Sequence, residues 1–213
     1  GASLFYKYQY SINEQDNVIW KNRMLFAAIF DYRNKIDRAT YNAGIKIDEK
    51  NLPFKVERYF HMAVMGASRS YKLWREDNWK YLLQERHQQD GLSVYLTWGN
   101  DKERKAAESL AAQLGFVKVL PRLRLKEIAV LLSLSRSLVA VDTGLLHLAN
   151  ALNLPTVGIY PKTSVNNTRT EGRDYQRIVG GEAALSPQLV SQEWKKALAY
   201  KLREINDENT GSN

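Results

Sequence analysis

The chain has 213 residues, 44% of them apolar, which is enough to bury one domain core or two small ones and too much for a disordered polymer. It has no cysteine, so disulfides, thiolate chemistry and zinc-finger spacings are excluded, and no run of about 18 apolar residues offers a membrane span. A net charge of +8 fits phosphorylated small molecules, an anionic membrane surface or simply a Lys-rich solvated surface; without an interleaved aromatic-basic motif, nucleic acid is not expected as a partner.

The opening GASLFYKYQY lacks a secretory pattern, and Gly1 stands where an initiator Met would, which fits a processed or fragmentary start. Residues 1–58 are rich in Tyr, Asn, Lys and Arg. Within them Ile19, Leu25, Phe26 and Ile29 predict one helix over Val18–Phe30, and residues 31–50 read as a connecting segment.

From Arg58 the pattern becomes regular. Tyr59–Met65 reads as a strand, Arg75–Gln89 as a helix with Trp79, Leu82 and Leu83 on one face, and Leu92–Thr97 as a strand. A helix follows over Asp101–Leu114, with Ala106, Leu110 and Leu114 facing inward and Gly115 as its C-cap. Next come a strand at Phe116–Leu120, a helix at Leu125–Leu134, a strand at Ser137–Val141, a helix at Thr143–Leu152 and a strand at Thr156–Tyr160. Residues 161–175 read as a long polar loop. Gln188–Ile205 reads as a last amphipathic helix, and 206–213 as a frayed tail. Repeated βα alternation predicts an α/β fold: a Rossmann-like parallel sheet with helices on both faces. The segments are then 1–58, a Rossmann-like domain at 59–185, and a C-terminal helix and tail at 186–213.

Parallel sheets of this kind bind ligands beyond the carboxyl ends of their strands, so the strand-to-helix loops carry the candidate chemistry. In Val141-Asp142-Thr143-Gly144-Leu145-Leu146-His147 a strand runs directly into a helix. Asp142 takes the N-cap position, Thr143 and Gly144 open a turn whose free amides attract anions, and His147 follows one turn later on the face of Thr143. The same residues also suit a capped helix with a structural histidine. In Gly66-Ala67-Ser68-Arg69-Ser70-Tyr71-Lys72, Ser68 offers a hydroxyl and Lys72 a compact positive charge, as a diphosphate requires; an ordinary polar loop would look similar. In Trp98-Gly99-Asn100-Asp101-Lys102-Glu103, the carboxylate of Glu103 suits a ribose diol or merely a helix start. Leu123, between Arg122 and Arg124, suits the floor of a base pocket or a solvated turn.

Together these loops resemble the C-terminal domain of the ADP-heptose:lipopolysaccharide heptosyltransferase family. SVYLTWGNDKE resembles the family's strand and Trp-Gly-x-x-x-Glu turn, and LVAVDTGLLHLANALNLPTVGIY its Asp-Thr-Gly-x-x-His helix. GASRSYKLWREDNW resembles its hydroxyl loop with Lys and Trp. The opening ASLFYK is similar to the region ahead of the interdomain connection in the family's first inner-core transferase.

The resemblance implies a GT-B enzyme with two Rossmann-like domains. The C-terminal domain would hold ADP-L-glycero-D-manno-heptose; the N-terminal one would hold the Kdo-lipid A acceptor and supply the catalytic base. Transfer would invert the anomeric centre without an obligatory metal or other cofactor, at the cytoplasmic face of the inner membrane. By position, Ser68 and Lys72 would meet the diphosphate, with Lys72 stabilising the leaving group. Glu103 would meet ribose, Leu123 adenine, Asp142 the heptose hydroxyls, Thr143 and Gly144 the phosphates, and His147 the same neighbourhood. Residues 1–58 would be a remnant of the N-terminal domain and the connection. Two departures stand out: Ala67 replaces the first hydroxyl of the family's pair, and no Gly-Asp loop matches the base. The chain alone is therefore expected to be inactive, with an N-terminal fragment of the same enzyme as its partner. The competing expectations are a family member using another acceptor or nucleotide sugar, and a nucleotide-binding module without catalysis.

Overall fold

The computed structural model describes residues 18–29, 44–48, 52–162, 173–181 and 185–210. Its elements are α1 (Val18–Ile29), β1 (Phe60–Val64), α2 (Glu76–Asp90), β2 (Ser93–Leu96), α3 (Asp101–Gln113) and β3 (Val117–Val119). They continue with α4 (Leu125–Leu134), β4 (Leu138–Val141), α5 (Gly144–Ala151), β5 (Thr156–Tyr160), β6 (Gln176–Gly180) and α6 (Pro187–Thr210). The strands form one six-stranded sheet in the order β3-β2-β1-β4-β5-β6, parallel throughout. This is the doubly wound α/β arrangement that the βα alternation predicts.

Strand periodicity divides the core into two layers. Ala63, Val94, Leu96, Val139, Val141, Val157 and Ile159 face α2, α3 and α6, where they meet Trp79, Leu82, Leu83, Leu110, Val190 and Trp194. Phe60, Met62, Val64, Tyr95, Leu138 and Ala140 face the other way, onto Ile128, Leu131, Leu132, Leu146 and Ala149 of α4 and α5. Burial of each Val, Leu, Ile, Phe or Met among them contributes about 1.5–3 kcal/mol. Val190, Trp194 and Ala197 lie in the first layer, so α6 shares the core of the sheet rather than forming a body of its own.

Four expectations change. β6 lies where no strand is predicted. It is an edge strand with Val179 its one buried residue, so it offers no apolar run to read. Gly115 does not cap α3: the helix ends at Gln113, with Leu114 extended behind it. Of the face predicted for α3, Leu110 and Leu114 are buried, and Ala107 takes the buried position expected of Ala106. The backbone of α6 stays helical to Thr210, past the expected fraying point. Of the segment 1–58, residues 1–17 and 30–43 lie outside the described residues, as do 163–172 of the polar loop.

A buried polar network ties α6 to the amino-terminal end of the sheet. The Trp194 indole N–H donates to Ser137 Oγ at 2.7 Å. That leaves the Ser137 hydroxyl hydrogen for His61 Nδ1, 2.6 Å away, and His61 Nε2–H then donates to Asp90 Oδ2 at 2.9 Å. Asp90 also pairs with Arg86 at 3.1 Å. Burial pushes the His61 imidazole below its ordinary range against the pull of Asp90, which matches the neutral tautomer. Serine, histidine and aspartate are assembled here, but His61 and Ser137 are wholly inaccessible and lie at the end of the sheet away from the crevice. The network is a structural staple.

Candidate functional site

In the observed strand order the chain reverses direction of travel between β1 and β4, so their carboxyl ends mark the topological switch point where such sheets open a crevice. The pairing Met62↔Leu138, Ala63↔Val139, Val64↔Ala140 sets the loops after β1 and β4 side by side. The loop after β1 makes a single 3₁₀ turn over Ser70–Lys72. From it Lys72 reaches across the seam, and its Nζ lies 2.7 Å from Asp142 Oδ2, with the two side chains 19% and 8% exposed. Two residues singled out in separate motifs thus form one ion pair at the switch point.

Asp142 is not the N-cap of α5. Thr143 is, in extended conformation and without a side-chain capping bond. Asp142 instead continues the strand backbone, its N–H donating to the Ile159 carbonyl at 3.1 Å, which aims its carboxylate at Lys72 rather than along the helix axis. The amide of Leu146 already bonds the Thr143 carbonyl at 3.1 Å. Gly144 and Leu145 therefore carry the open first-turn amides. Gly144 is exposed, and His147 is half-buried one turn on.

A cleft of about 350 Å³ adjoins this seam beyond β1 and β2, lined by Gly66, Ser68, Trp74, Thr97, Asn100 and Glu103 among others. Glu103 is fixed by its own helix start. Asn100 is the N-cap of α3, its Oδ1 accepting from the Glu103 amide at 3.0 Å. In return Glu103 Oε1 accepts from Asn100 Nδ2 at 2.8 Å, and Oε2 from the Gly99 amide at 2.8 Å. The N-cap bond is legible as Asn-x-x-Glu, while the Glu103 side chain reaches past the N-cap backbone to the Gly99 amide. The Glu103 carboxylate also lies against Gly66, where a Cβ would meet its Cδ, so the glycine makes room for it.

Of the predicted residues, Ser68 and Glu103 line the cleft, and Lys72 joins Asp142, Thr143 and Gly144 at the seam. Leu123 does not line the cleft; it is half-buried after β3, packed against the α4–α5 layer. Trp98, noticed only as part of a motif, braces that region, its indole donating to the Leu120 carbonyl at 2.7 Å. Gly66 and Asn100 are missed as positioning residues, although the Asn-x-x-Glu spacing signals the second. Among the described residues no group of three or more His, Asp or Glu is placed to hold a metal ion, and no helix is long and apolar enough to cross a membrane.

Comparison with known proteins gives a consistent picture. The model of glycosyltransferase family 9 (heptosyltransferase) matches residues 1–198. The chain is 35% identical over 205 residues to lipopolysaccharide heptosyltransferase 1 of Pseudomonas aeruginosa, a match covering 94% of this chain and 54% of the relative. It is 32% identical over 162 residues to the protein of the same name in Escherichia coli K12, covering 76% and 50%. The solved structure of E. coli heptosyltransferase WaaC with ADP superposes with a TM-score of 0.70 at 26% identity, covering 98% of this chain and 61% of that one. A glycosyl transferase family 9 structure from Veillonella parvula shares the fold, with a TM-score of 0.71 at 10% identity, covering 91% and 63%. The chain spans about half the length of the curated relatives it matches.

Proposed function

Since the chain belongs to glycosyltransferase family 9, the heptosyltransferase family, we propose that it is the donor-holding portion of an inverting transferase. In this reading it binds ADP-L-glycero-D-manno-heptose and serves heptose transfer to Kdo-lipid A at the cytoplasmic face of the inner membrane. The observation that carries the proposal is the Lys72–Asp142 pair across the β1–β4 seam, which puts a cation and a carboxylate where a sheet of this order receives a nucleotide.

The chemistry follows from these groups. An acceptor hydroxyl attacks the anomeric carbon as the bond to the β-phosphate oxygen breaks, and ADP leaves with increased negative charge. The Lys72 ammonium and the open amides of Gly144 and Leu145 meet that charge, and Ser68 adds a hydroxyl donor. Glu103 holds the ribose and Asp142 the sugar hydroxyls, with His147 beside the phosphates. This division of labour calls for no obligatory metal. The base that accepts the hydroxyl proton comes from an N-terminal half of the enzyme, which also holds the acceptor.

Calorimetric titration with ADP, followed by a transfer assay with donor and Kdo-lipid A, tests the reading. The expected result is ADP binding by the chain, no transfer by it alone, and transfer once an N-terminal half is supplied. Failure to bind ADP, or robust turnover by this chain alone, would overturn it. ADP binding without transfer in the reassembled protein would identify a nucleotide-binding module instead.

A further inference from the structure

The cation that is to receive a diphosphate is already neutralised. Lys72 Nζ is 2.7 Å from Asp142 Oδ2 with both side chains largely sheltered, so the pair meets an incoming anion with no net charge. Water screens such a pair weakly. The two oxygens of Asp142 differ: Oδ2 is engaged by Lys72, while Oδ1 has no hydrogen-bond partner among the described residues.

We propose that Asp142 is a specificity-determining residue that makes the site favour a sugar-bearing diphosphate over the bare nucleotide, an inference that rests on the donor-site reading above. A bare diphosphate must draw Lys72 away from Asp142 or share it. In either case it leaves a sheltered carboxylate facing new negative charge, which is unfavourable. A glycosyl diphosphate brings hydroxyls that donate to Oδ1 and offset that repulsion through charge-assisted hydrogen bonds. When the sugar is transferred those donors leave with the acceptor and the repulsion returns. The same carboxylate thus helps hold the substrate and helps expel the product, and it does so through the balance of charge around Lys72.

Calorimetry with ADP and with ADP-heptose on the wild-type chain, Asp142→Asn, Asp142→Glu, Lys72→Met and Lys72→Met/Asp142→Asn separates the possibilities. Removing the opposing charge in Asp142→Asn should tighten ADP binding roughly 3- to 10-fold, while losing the charged acceptor should weaken ADP-heptose about 10-fold. Asp142→Glu keeps the charge and should leave ADP as weak as in the wild type, which provides a readout even if the Asn variant folds poorly. In the Lys72→Met background the Asn substitution should still tighten ADP. If Asp142→Asn weakens ADP as Lys72→Met does, or leaves it unchanged, Asp142 only orients Lys72 and the proposal is wrong. Those outcomes leave the donor-site reading standing, because the wild type still binds ADP; a wild type that does not bind ADP removes both.

Discussion

Lys72 and Glu103 face the same nucleotide in the proposed site, yet their surroundings predict different failures. Lys72 should matter most as the leaving ADP gains charge. In the enzyme reassembled with an N-terminal half, Lys72→Ala should lower kcat on the order of 10²–10³-fold. Lys72→Arg should lose less, since it keeps the charge without the compact geometry. Steady-state kinetics at saturating acceptor decide this, and an unchanged kcat for the alanine variant removes Lys72 from the chemistry. Glu103 already accepts from the Gly99 amide and Asn100 Nδ2, and retains further acceptor capacity for a ribose diol. Glu103→Ala should weaken ADP by about 1.5–3 kcal/mol while leaving pyrophosphate binding almost unchanged. Equal losses for both ligands would reduce Glu103 to a helix cap. Both residues are legible in the sequence from their motifs. The contact of Lys72 with Asp142 is not, because it depends on the β1–β4 register between segments far apart in the chain. The one-residue shift that makes Thr143 the N-cap and frees Asp142 for Lys72 is likewise a matter of backbone geometry that residue types leave open.

At the scale of elements, α6 docks through the buried side chains of Val190, Trp194 and Ala197 and through the polar staple beneath the Trp194 indole. Ser137→Ala would strand the Trp194 N–H and His61 Nδ1 without partners, so a loss of about 1–3 kcal/mol is expected in denaturant unfolding. Trp194→Ala, which opens a cavity, should cost about 3–5 kcal/mol. His61 makes the staple sensitive to acid. Burial first, against the opposing hydrogen bond to Asp90, lowers its pKa below the 6.5 of a free imidazole. The unfolded chain therefore binds the extra proton first: stability is complete above about pH 6.5 and falls as pH drops through the range below it. Denaturant melts between pH 8 and pH 5 should show this decline, and His61→Gln should remove the part of it centred there; a wild-type profile flat down to pH 5 would contradict the neutral buried tautomer. Periodicity and apolar runs locate the central strands and the helices that pack on them. They miss β6 because an edge strand needs so little burial. Gln176 and Arg177 open it, and Arg177 is accommodated by Glu193 of α6 at 2.6 Å, an arrangement no local pattern announces. The staple is missed for a similar reason: His61, Asp90, Ser137 and Trp194 belong to four segments, and only the folded sheet brings them together.

For the molecule as a whole, the alternation of strands and helices suffices to read a doubly wound sheet, while the assignment of α2, α3 and α6 to one face and α4 and α5 to the other needs the tertiary packing. Apolar surface remains outside that core. Phe26 and Ile29 of α1 are 55% and 46% exposed, and Leu125 at the start of α4 is 63% exposed. Such exposure favours association. Light scattering over a concentration series should show reversible self-association that Phe26→Asp/Ile29→Asp weakens; a concentration-independent monomer would show these residues to be inert. The seam between β1 and β4 has a kinetic meaning too. β1–β3 and β4–β6 each join through local crossovers, whereas β1 pairs with β4 across all the chain between them, Met62 opposite Leu138. Loop closure over that span is slow relative to local pairing. Competence to capture a nucleotide should then appear last in refolding, behind the recovery of helical signal, and a nascent chain emerging from the ribosome would remain blind to its ligand until β4 had been synthesised.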